Sequence, residues 1–525
     1  MNNVMREDWI EIELGELLKL KNGFAFKAKD YIEEGIPVFR IGDINDWVVS
    51  DKNAKKIEEK SLYDDYIVEN GDILIAMSGA TTGKFGIYLS DKKAYQNQRV
   101  GNLKLYSDDL INKSFVFYLL YSLKRKIEED AYGGAQPNIS ATKIEALKTN
   151  LAPLPIQQAI VSKIETLFSD LDNGIANLKK AQEQLKIYRQ AVLKKAFEGE
   201  LTKEWREKQT NLPAAEELLQ QIKEERQNHY NKQLEDWKKA VKEWEKNGKE
   251  GKKPGKPKVL KELPPLTEDE LKELPKLPKE WNWKKLGGLS IKLSDGPFGS
   301  NLKTNDYTDS GVRVIRLENI KNLFFDNSKK SFVTKRKYNS ISSHTVYPGD
   351  IIFSTFIAEE TKVAIIPNYI NFAINKADCV CIRPYIIINK KYIEYFLSTR
   401  FTYNQLVNQI HGATRPRINT TQLKSVTVAL CSIPEQHQIV REIETRLSVC
   451  DKVEESITES LEKAKALRQS ILKKAFEGKL LTQQEIEQCK QQPDYEPASV
   501  LLEKIKAEKL AKEQNQKKSK KKGRK

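Results

Sequence analysis

The chain contains no apolar run of roughly 18 residues, no CxxC pair and only four histidines among its 525 residues. Without such a run no helix is expected to cross a bilayer, and the opening MNNVMREDWIEI lacks the apolar core of a secretory signal. The five cysteines, Cys379, Cys381, Cys431, Cys450 and Cys489, fall in the second half with spacings that fit no zinc site. They read as reduced thiols of a bacterial or archaeal cytoplasm. Cys379 and Cys381 have strand spacing and read as core. Catalytic signatures are missing too. There is no Asn-Pro-Pro-Tyr or Asp-Pro-Pro-Tyr of an amino-methyltransferase and no Gly-rich dinucleotide fingerprint after a strand. Asp494 follows Pro493, but no spaced acidic-x-Lys pair completes a nuclease centre. The run Gly79–Phe85 (GATTGKF) looks like a phosphate loop. It has three residues between its glycines where four are needed, and Phe85 stands where a hydroxyl would hold magnesium. The expectation is a chain with no catalytic residue, metal site or cofactor of its own.

What the chain has in excess is positive charge. It carries 89 Lys+Arg against 73 Asp+Glu, a net charge of +16, which suits a polyanionic partner. Charged residues make up 31 % of the chain, so long solvated helices are expected. The length allows several domains, each with its own core.

The chain also repeats itself. PIQQAIVSKIETLFSDLD (155–172) returns as PEQHQIVREIETRLSVCD (434–451), an offset of 279, and RQAVLKKAFEGEL (189–201) returns as RQSILKKAFEGKL (468–480) at the same offset. Within the latter pair, the seven residues from Leu193 and from Leu472 are identical. PAAEELLQQIK (213–223) comes back as PASVLLEKIK (497–506). The flanking segments match more faintly: WIEIELGEL (9–17) with WNWKKLGGL (281–289), and GIPVFRIGDI (35–44) with GVRVIRLENI (311–320). Gly71-Asp72-Ile73 matches Gly349-Asp350-Ile351, Asn97 matches Asn375, and GGAQPNIS (133–140) matches HGATRPRIN (411–419). A protein that needs one scaffold twice and different contacts twice has this pattern.

Residues 1–154 and 281–433 are rich in short β-type runs such as IPVFRI, GDILIAM and VYPGDIIFSTF, each with one helical stretch, 114–127 and 390–406. They read as two α+β domains, each around a twisted, partly closed sheet. In 155–202 and 434–480 the apolar period changes. Ile160, Ile164, Leu167, Leu171, Leu178, Leu185 and Val192 form one heptad seam; Ile439, Ile443, Leu447, Cys450, Ile457, Leu461 and Ile471 form another. Pro155 and Pro434 suit helix starts, and Gly199 and Gly478 suit helix stops. Two helices of 44 residues, about 66 Å each, most simply pair as an antiparallel coiled coil with pseudo-two-fold symmetry. Residues 203–280 read as a charged extension and linker, and 481–525 as a short helix and a basic disordered tail.

This layout resembles the specificity subunits of type I restriction-modification systems along nearly the whole chain. The resemblance rests on the helix starts LPIQQAIVSKIE and IPEQHQIVREIE, the ends LKKAFEGELTKEW and LKKAFEGKLLT, and the turns Gly134-Ala135-Gln136-Pro137 and Gly412-Ala413-Thr414-Arg415-Pro416. The long 203–280 extension departs from it. The resemblance implies that each α+β domain reads one half of a bipartite double-stranded DNA target. It implies that the helices set the gap and dock two methyltransferase (M) subunits, and that restriction/translocase (R) subunits join. S-adenosylmethionine, ATP and magnesium would serve those partners, and no membrane is involved. The competing reading is a free-standing DNA-binding or coiled-coil scaffold without methylase partners.

Sequence-reading contacts need paired donors and acceptors on loops: Arg or Lys for guanine, Asn or Gln for adenine. Candidates in the first copy are Lys21, Asn22, Phe24 and Lys27 on a Gly-containing loop, Thr81, Thr82 and Lys84 in the Gly79–Phe85 run, and Gln96, Asn97, Gln98 and Arg99. Candidates in the second are Ser294, Phe298, Ser300, Asn301 and Lys303, with Asn375 and Lys376 placed opposite Asn97. Asn97 and Asn375 read equally well as turn caps. Gln136, Asn138, Thr414, Arg415 and Arg417 lie just before each helix and differ in charge between the copies, as two unlike half-sites require. Lengthening the Ile175–Arg189 stretch by one heptad adds about 10 Å of helix. It should alter the gap of the target and leave both half-sites intact; mapping the modified sequence checks this, and an unchanged gap would remove the helices as the ruler.

Overall fold

A computed structural model describes residues 7–45, 47–131, 137–259, 262–410 and 416–522, with side chains described through residue 514. The chain forms two compact units, Met1–Lys179 with Thr458–Lys525, and Lys180–Ile457. The division cuts both long helices, Leu154–Phe197 and Ile433–Phe476, near their middles. Each unit therefore holds one α+β domain, the first half of that domain's own helix and the last half of the other copy's helix.

The strands are only two to six residues long, because Gly, Asn and Asp keep interrupting the apolar runs. In place of one partly closed sheet, the described residues of each domain build two sheets and a two-stranded ribbon, and the second domain adds a second ribbon, Ile320–Lys321 with Phe324–Phe325. In the first unit a five-stranded sheet runs Tyr31–Ile32, Lys55–Ile57, Ile36–Phe39, Ala94–Gln96, Ile67–Val68. In the second the same order recurs as Tyr307–Thr308, Ser331–Val333, Val312–Ile315, Ala373–Asn375, Thr345–Val346. The other sheet shares the order Leu18–Asn22, Val100–Leu105, Ile73–Ala76, Phe85–Tyr88 with Ser290–Ser294, Cys379–Pro384, Ile351–Ser354, Val363–Ile365.

The faint Gly-Asp-Ile match has a physical cause. Gly71 and Gly349 turn the chain at φ +82° and +83°, which only glycine adopts freely. The buried Asp72 carboxylate then accepts from the Glu69 N–H (2.9 Å), Asn102 Nδ2 (2.8 Å) and Lys104 Nζ (2.6 Å). Asp350 accepts from the Tyr347 N–H (2.8 Å) and from Arg383 Nε and Nη2 (2.7 and 2.6 Å). Removing one partner of such a buried pair costs about 3–5 kcal/mol, so the framework keeps both.

The helix motifs are explained in the same way. Gln157 and Gln436 are fully buried at the helix starts. Each donates to the carbonyl five residues back, Ala152 or Cys431, and accepts a domain N–H, from Asn112 (3.0 Å) or Asn389 (3.1 Å). At the ends, Gly199 and Gly478 are left-handed, and the next residues, Glu200 and Lys479, bond back to the Lys195 and Lys474 carbonyls. The phenylalanine before each stop enters a core. Phe476 packs edge-on against Phe115 in the first unit; Phe197 does so against Tyr392 and Phe396 in the second. In the first unit Asp172 meets Arg468 while Asn150, just before its helix, meets the Phe476 carbonyl. In the second unit Arg189 bridges Asp451 and Glu454 at 2.7 and 2.9 Å. Within each unit the helix halves thus run antiparallel. Seam residues Ile160, Ile164, Val192, Ile439, Ile443, Leu447, Cys450, Ile457 and Ile471 are buried, while Leu171, Leu178, Leu185 and Leu461 are half-buried.

Two expectations change. The 390–406 stretch is not one helix: it breaks into Lys390–Leu397 and Arg400–Val407, because the Thr399 hydroxyl accepts the Thr402 N–H and caps a new start. The expected disordered tail is helical from Ala498 to Lys522. Lys, Glu and Gln are good helix formers, and Ala498, Leu501, Leu502 and Ile505 anchor the helix in the first unit's core. The Ala498 N–H bonds the Asp8 carbonyl (3.1 Å), as the Ala215 N–H bonds the Glu280 carbonyl (3.0 Å) in the second unit. There the charged extension opens with a short helix, Lys203–Glu207, and continues in a 32-residue helix, Ala215–Lys246, that buries Ala215, Leu218 and Ile222. Among the described residues no helix is long and apolar enough to cross a membrane.

One buried acid generates a prediction. Glu394 accepts the Ile365 N–H (2.8 Å), and burial pushes its carboxyl up to about 7. A folded-state value above the unfolded one favours the neutral form, so stability is full at low pH and falls as pH rises from near 4.5 through 7. Glu394→Gln should therefore be more stable than the parent at pH 8, by up to about 3 kcal/mol, with the gap closing toward pH 4.5. Calorimetric unfolding across that range tests the sign.

Candidate nucleic-acid interface

In the first domain the candidate residues converge where the two sheets meet the turn before the long helix. Gly23 is required there: a Cβ would lie 2.2 Å from the Gln96 carbonyl oxygen. That close approach lets the Phe24 N–H bond Gln96 O (3.0 Å) and the Gln98 N–H bond Phe24 O (2.8 Å). From the other side, Ser78 forms an antiparallel bridge to Asn138, with the Ile139 N–H on Met77 O (2.9 Å) and the Gly79 N–H on Pro137 O (3.0 Å). Between them lies an open cleft of about 1030 Å³, lined by Asn22, Ser78, Gln98, Arg99, Asn138 and Ser140 among others. Asn22, Gln98, Arg99 and Asn138 are exposed, and Arg99 has no ion-pair partner among the described residues. Three amides and one guanidinium on one rim can pair with base edges.

The second domain repeats this backbone with other chemistry. Gly296 stands where Gly23 does, with a Cβ position 2.2 Å from Asn375 O. Phe356 bridges Arg417 as Ser78 bridges Asn138, and the Ile418 N–H bonds Thr355 O (3.0 Å). The strand pairings correct the alignment by one residue. Gln96 lies opposite Phe39 and Asn375 opposite Ile315, so Asn375 corresponds to Gln96, not to Asn97. Asn97 corresponds to Lys376 and Arg99 to Asp378: Val100 N–H bonds Asn97 O and Cys379 N–H bonds Lys376 O, while Arg99 O and Asp378 O accept from Met77 and Thr355. The stations that carry Asn22, Arg99 and Asn138 in the first domain carry Asp295, Asp378 and Arg417 in the second.

Several candidates serve the fold instead. Thr82 is buried, and its hydroxyl donates to Gly79 O (2.6 Å) and Pro137 O (3.1 Å). Gln96 and Asn375 are buried and donate to backbone carbonyls, Gln96 to Lys21 O (2.9 Å) and Asn375 to Cys379 O (2.6 Å). Phe24 does not hang free on a loop: its ring packs with Phe26, Tyr63 and Tyr66 at 5.1–5.3 Å. The Gly79–Phe85 run, with Thr81 and Lys84, joins two antiparallel strands rather than a strand and a helix. Lys21 and Ser294 sit near the ends of equivalent strands, Lys21 one residue before the last and Ser294 at the last. Lys27 is exposed, as are Ser300, Asn301, Lys303 and Phe298, the last by 63 %. Lys376 lies over the Tyr307 ring. Gln136, Thr414 and Arg415 lie outside the described residues. Cys379 and Cys381 are buried in the core, and burial pushes the Cys381 thiol up to about 12. Asp378 escaped notice in the sequence, because the Asn97–Asn375 match set the register one residue off.

Known proteins share this organisation. The family model described as Type I restriction modification DNA specificity domain matches residues 6–183 and 278–463. The Escherichia coli type I restriction enzyme EcoBI specificity subunit is 27 % identical over 509 residues, covering 97 % of this chain and 94 % of that protein. The E. coli EcoDI specificity subunit is 28 % identical over 523 residues, covering 96 % of each. A solved structure from work on complex assembly and conformational transition of the type I R-M system shares the fold. Its TM-score is 0.59 at 15 % identity, over 91 % of this chain and 99 % of that one.

The division of labour at this face is testable. Thr82→Val, Gln96→Ala and Asn375→Ala should each lower stability by about 1–3 kcal/mol without changing which DNA is preferred. Gln98→Ala and Asn138→Ala should stay within about 0.5 kcal/mol of the parent in stability while relaxing preference at single base pairs. Thermal melts paired with binding to matched and single-mismatch duplexes separate the two groups; a stability loss without a preference change for Gln98 and Asn138 would reverse the assignment.

Proposed function

Since the chain belongs to the type I restriction modification DNA specificity family, we infer that it is the subunit that chooses the DNA sequence on which a type I restriction-modification complex acts. The carrying observation is that two domains present one set of backbone stations with different side chains. Each domain reads one half of a bipartite target through its own rim. The rest of the complex sees the same helix ends twice, since the LKKAFEG segments are identical and leave Lys194, Lys195, Lys473 and Lys474 exposed. That duplication fits two copies of one partner, the methyltransferase subunits, with the restriction/translocase subunits joining them. The long helices set the spacing between half-sites. This chain supplies no catalytic group; S-adenosylmethionine, ATP and magnesium act in the partner subunits, in a bacterial or archaeal cytoplasm.

Co-expression with the methylase subunit should yield a complex of two methylases to one specificity chain. The purified chain alone, given S-adenosylmethionine and duplex DNA, should transfer no methyl groups. Exchanging residues 1–154 for the equivalent domain of another family member should change one half of the modified sequence only. If both halves changed together, the domains would not read DNA independently.

A further inference from the structure

The second domain contains an Arg–Asp pair whose geometry stability does not explain. Arg417 lies with its guanidinium 4.3 Å from the centre of the Phe356 ring, and its Nη1 is 3.6 Å from Asp378 Oδ1. Asp378 is itself fixed. Its backbone is left-handed at φ +70°, its carbonyl accepts the Thr355 N–H (3.0 Å), and its carboxylate accepts the Thr355 hydroxyl (3.1 Å). Asp tolerates that conformation better than most residues, yet a strained site that persists points to use. The framework pair Arg383–Asp350 provides the contrast. There two guanidinium nitrogens are bound at 2.6–2.7 Å and the carboxylate is buried. In the Arg417 pair only one corner is held, loosely, and the arginine side chain is 47 % exposed. An ion pair of that kind contributes about 0–1 kcal/mol to folding. What it does achieve is orientation: Phe356 backs the guanidinium, Asp378 takes one corner, and with the side chain nearly half exposed the remaining donors make up its outward edge.

We propose that Arg417 reads a guanine of the second half-site through that outward edge, with Asp378 as its positioning residue. A planar fork held on one side matches the O6 and N7 acceptors of guanine in the major groove. The first domain has Asn138 and Arg99 at the same two stations, so it presents an amide and a guanidinium with no ion-pair partner among the described residues, and reads a different base there. The proposal rests on the reading of this face as the DNA-contacting one.

The test uses the full chain assembled with its methylase subunits, comparing the modified sequence and duplex binding for the parent, Arg417→Ala, Arg417→Lys and Asp378→Asn. Arg417→Ala should relax one G·C position of one half-site, about 5- to 150-fold in discrimination, with the other half unchanged. Arg417→Lys should not restore it, because an ammonium lacks the fork. Asp378→Asn should relax the same position more weakly; should that variant not fold, the two Arg417 variants decide alone. Equal weakening on all duplexes with a flatter salt dependence would make Arg417 a phosphate clamp and overturn the proposal. Unchanged discrimination would overturn it as well. A parent complex that modifies no bipartite sequence would instead refute the function inferred above.

Discussion

Phe197 ends the first repeat yet is buried against Tyr392 and Phe396 of the second domain, and Phe476 ends the second repeat yet is buried against Phe115 of the first. Everything else follows from this exchange. A helix whose last turn must enter a distant core needs a fixed length, a defined stop and an aromatic at one position. Both 44-residue helices meet these demands with the same seven residues. The domains, relieved of that task, match only at scattered frame positions such as Asp72 and Asp350, each held by a cation that is Lys104 in one and Arg383 in the other.

The two helix starts are not interchangeable. Glu435 is fully buried and accepts from the Thr202 hydroxyl (2.8 Å), Arg206 (2.5 Å) and the Trp281 indole N–H (2.9 Å). At the matching place in the first unit stands Ile156, also buried. A buried carboxylate is costly unless each oxygen is satisfied, and an isoleucine there would take the acceptor from Arg206 Nη1 and from the Trp281 indole N–H, leaving Arg206 only its Gly199 carbonyl. The second helix start thus carries a buried ionic cluster at the place where the first carries a buried isoleucine.

The repeat, both long helices and the positions of their stops were legible in the sequence, because they are written in periodicity and in identical residues. The site was only partly so. Asn97 and Asn375 attracted alignment by being the same amino acid, and that match hid Asp378; strand pairing follows backbone register, in which Gln96 is the counterpart of Asn375. Thr82, Gln96 and Asn375 looked like reading residues because they are polar; their partners are backbone carbonyls brought close by folding, which no local pattern reveals. The break at Thr399 is readable as a capping threonine, and the helical tail as a run of the good helix formers Lys, Glu and Gln.

The second unit is one uninterrupted stretch, Lys180–Ile457, whereas the first joins Met1–Lys179 to Thr458–Lys525. On a ribosome, synthesis runs in that order. The domain made first therefore waits, its core lacking Ile471, Leu472, Phe476, Leu501 and Ile505, while the domain made second already has every piece it needs. The first unit's core is thus the last to be completed as the chain lengthens, and a chain cut short after residue 457 loses not its last domain but the completion of its first.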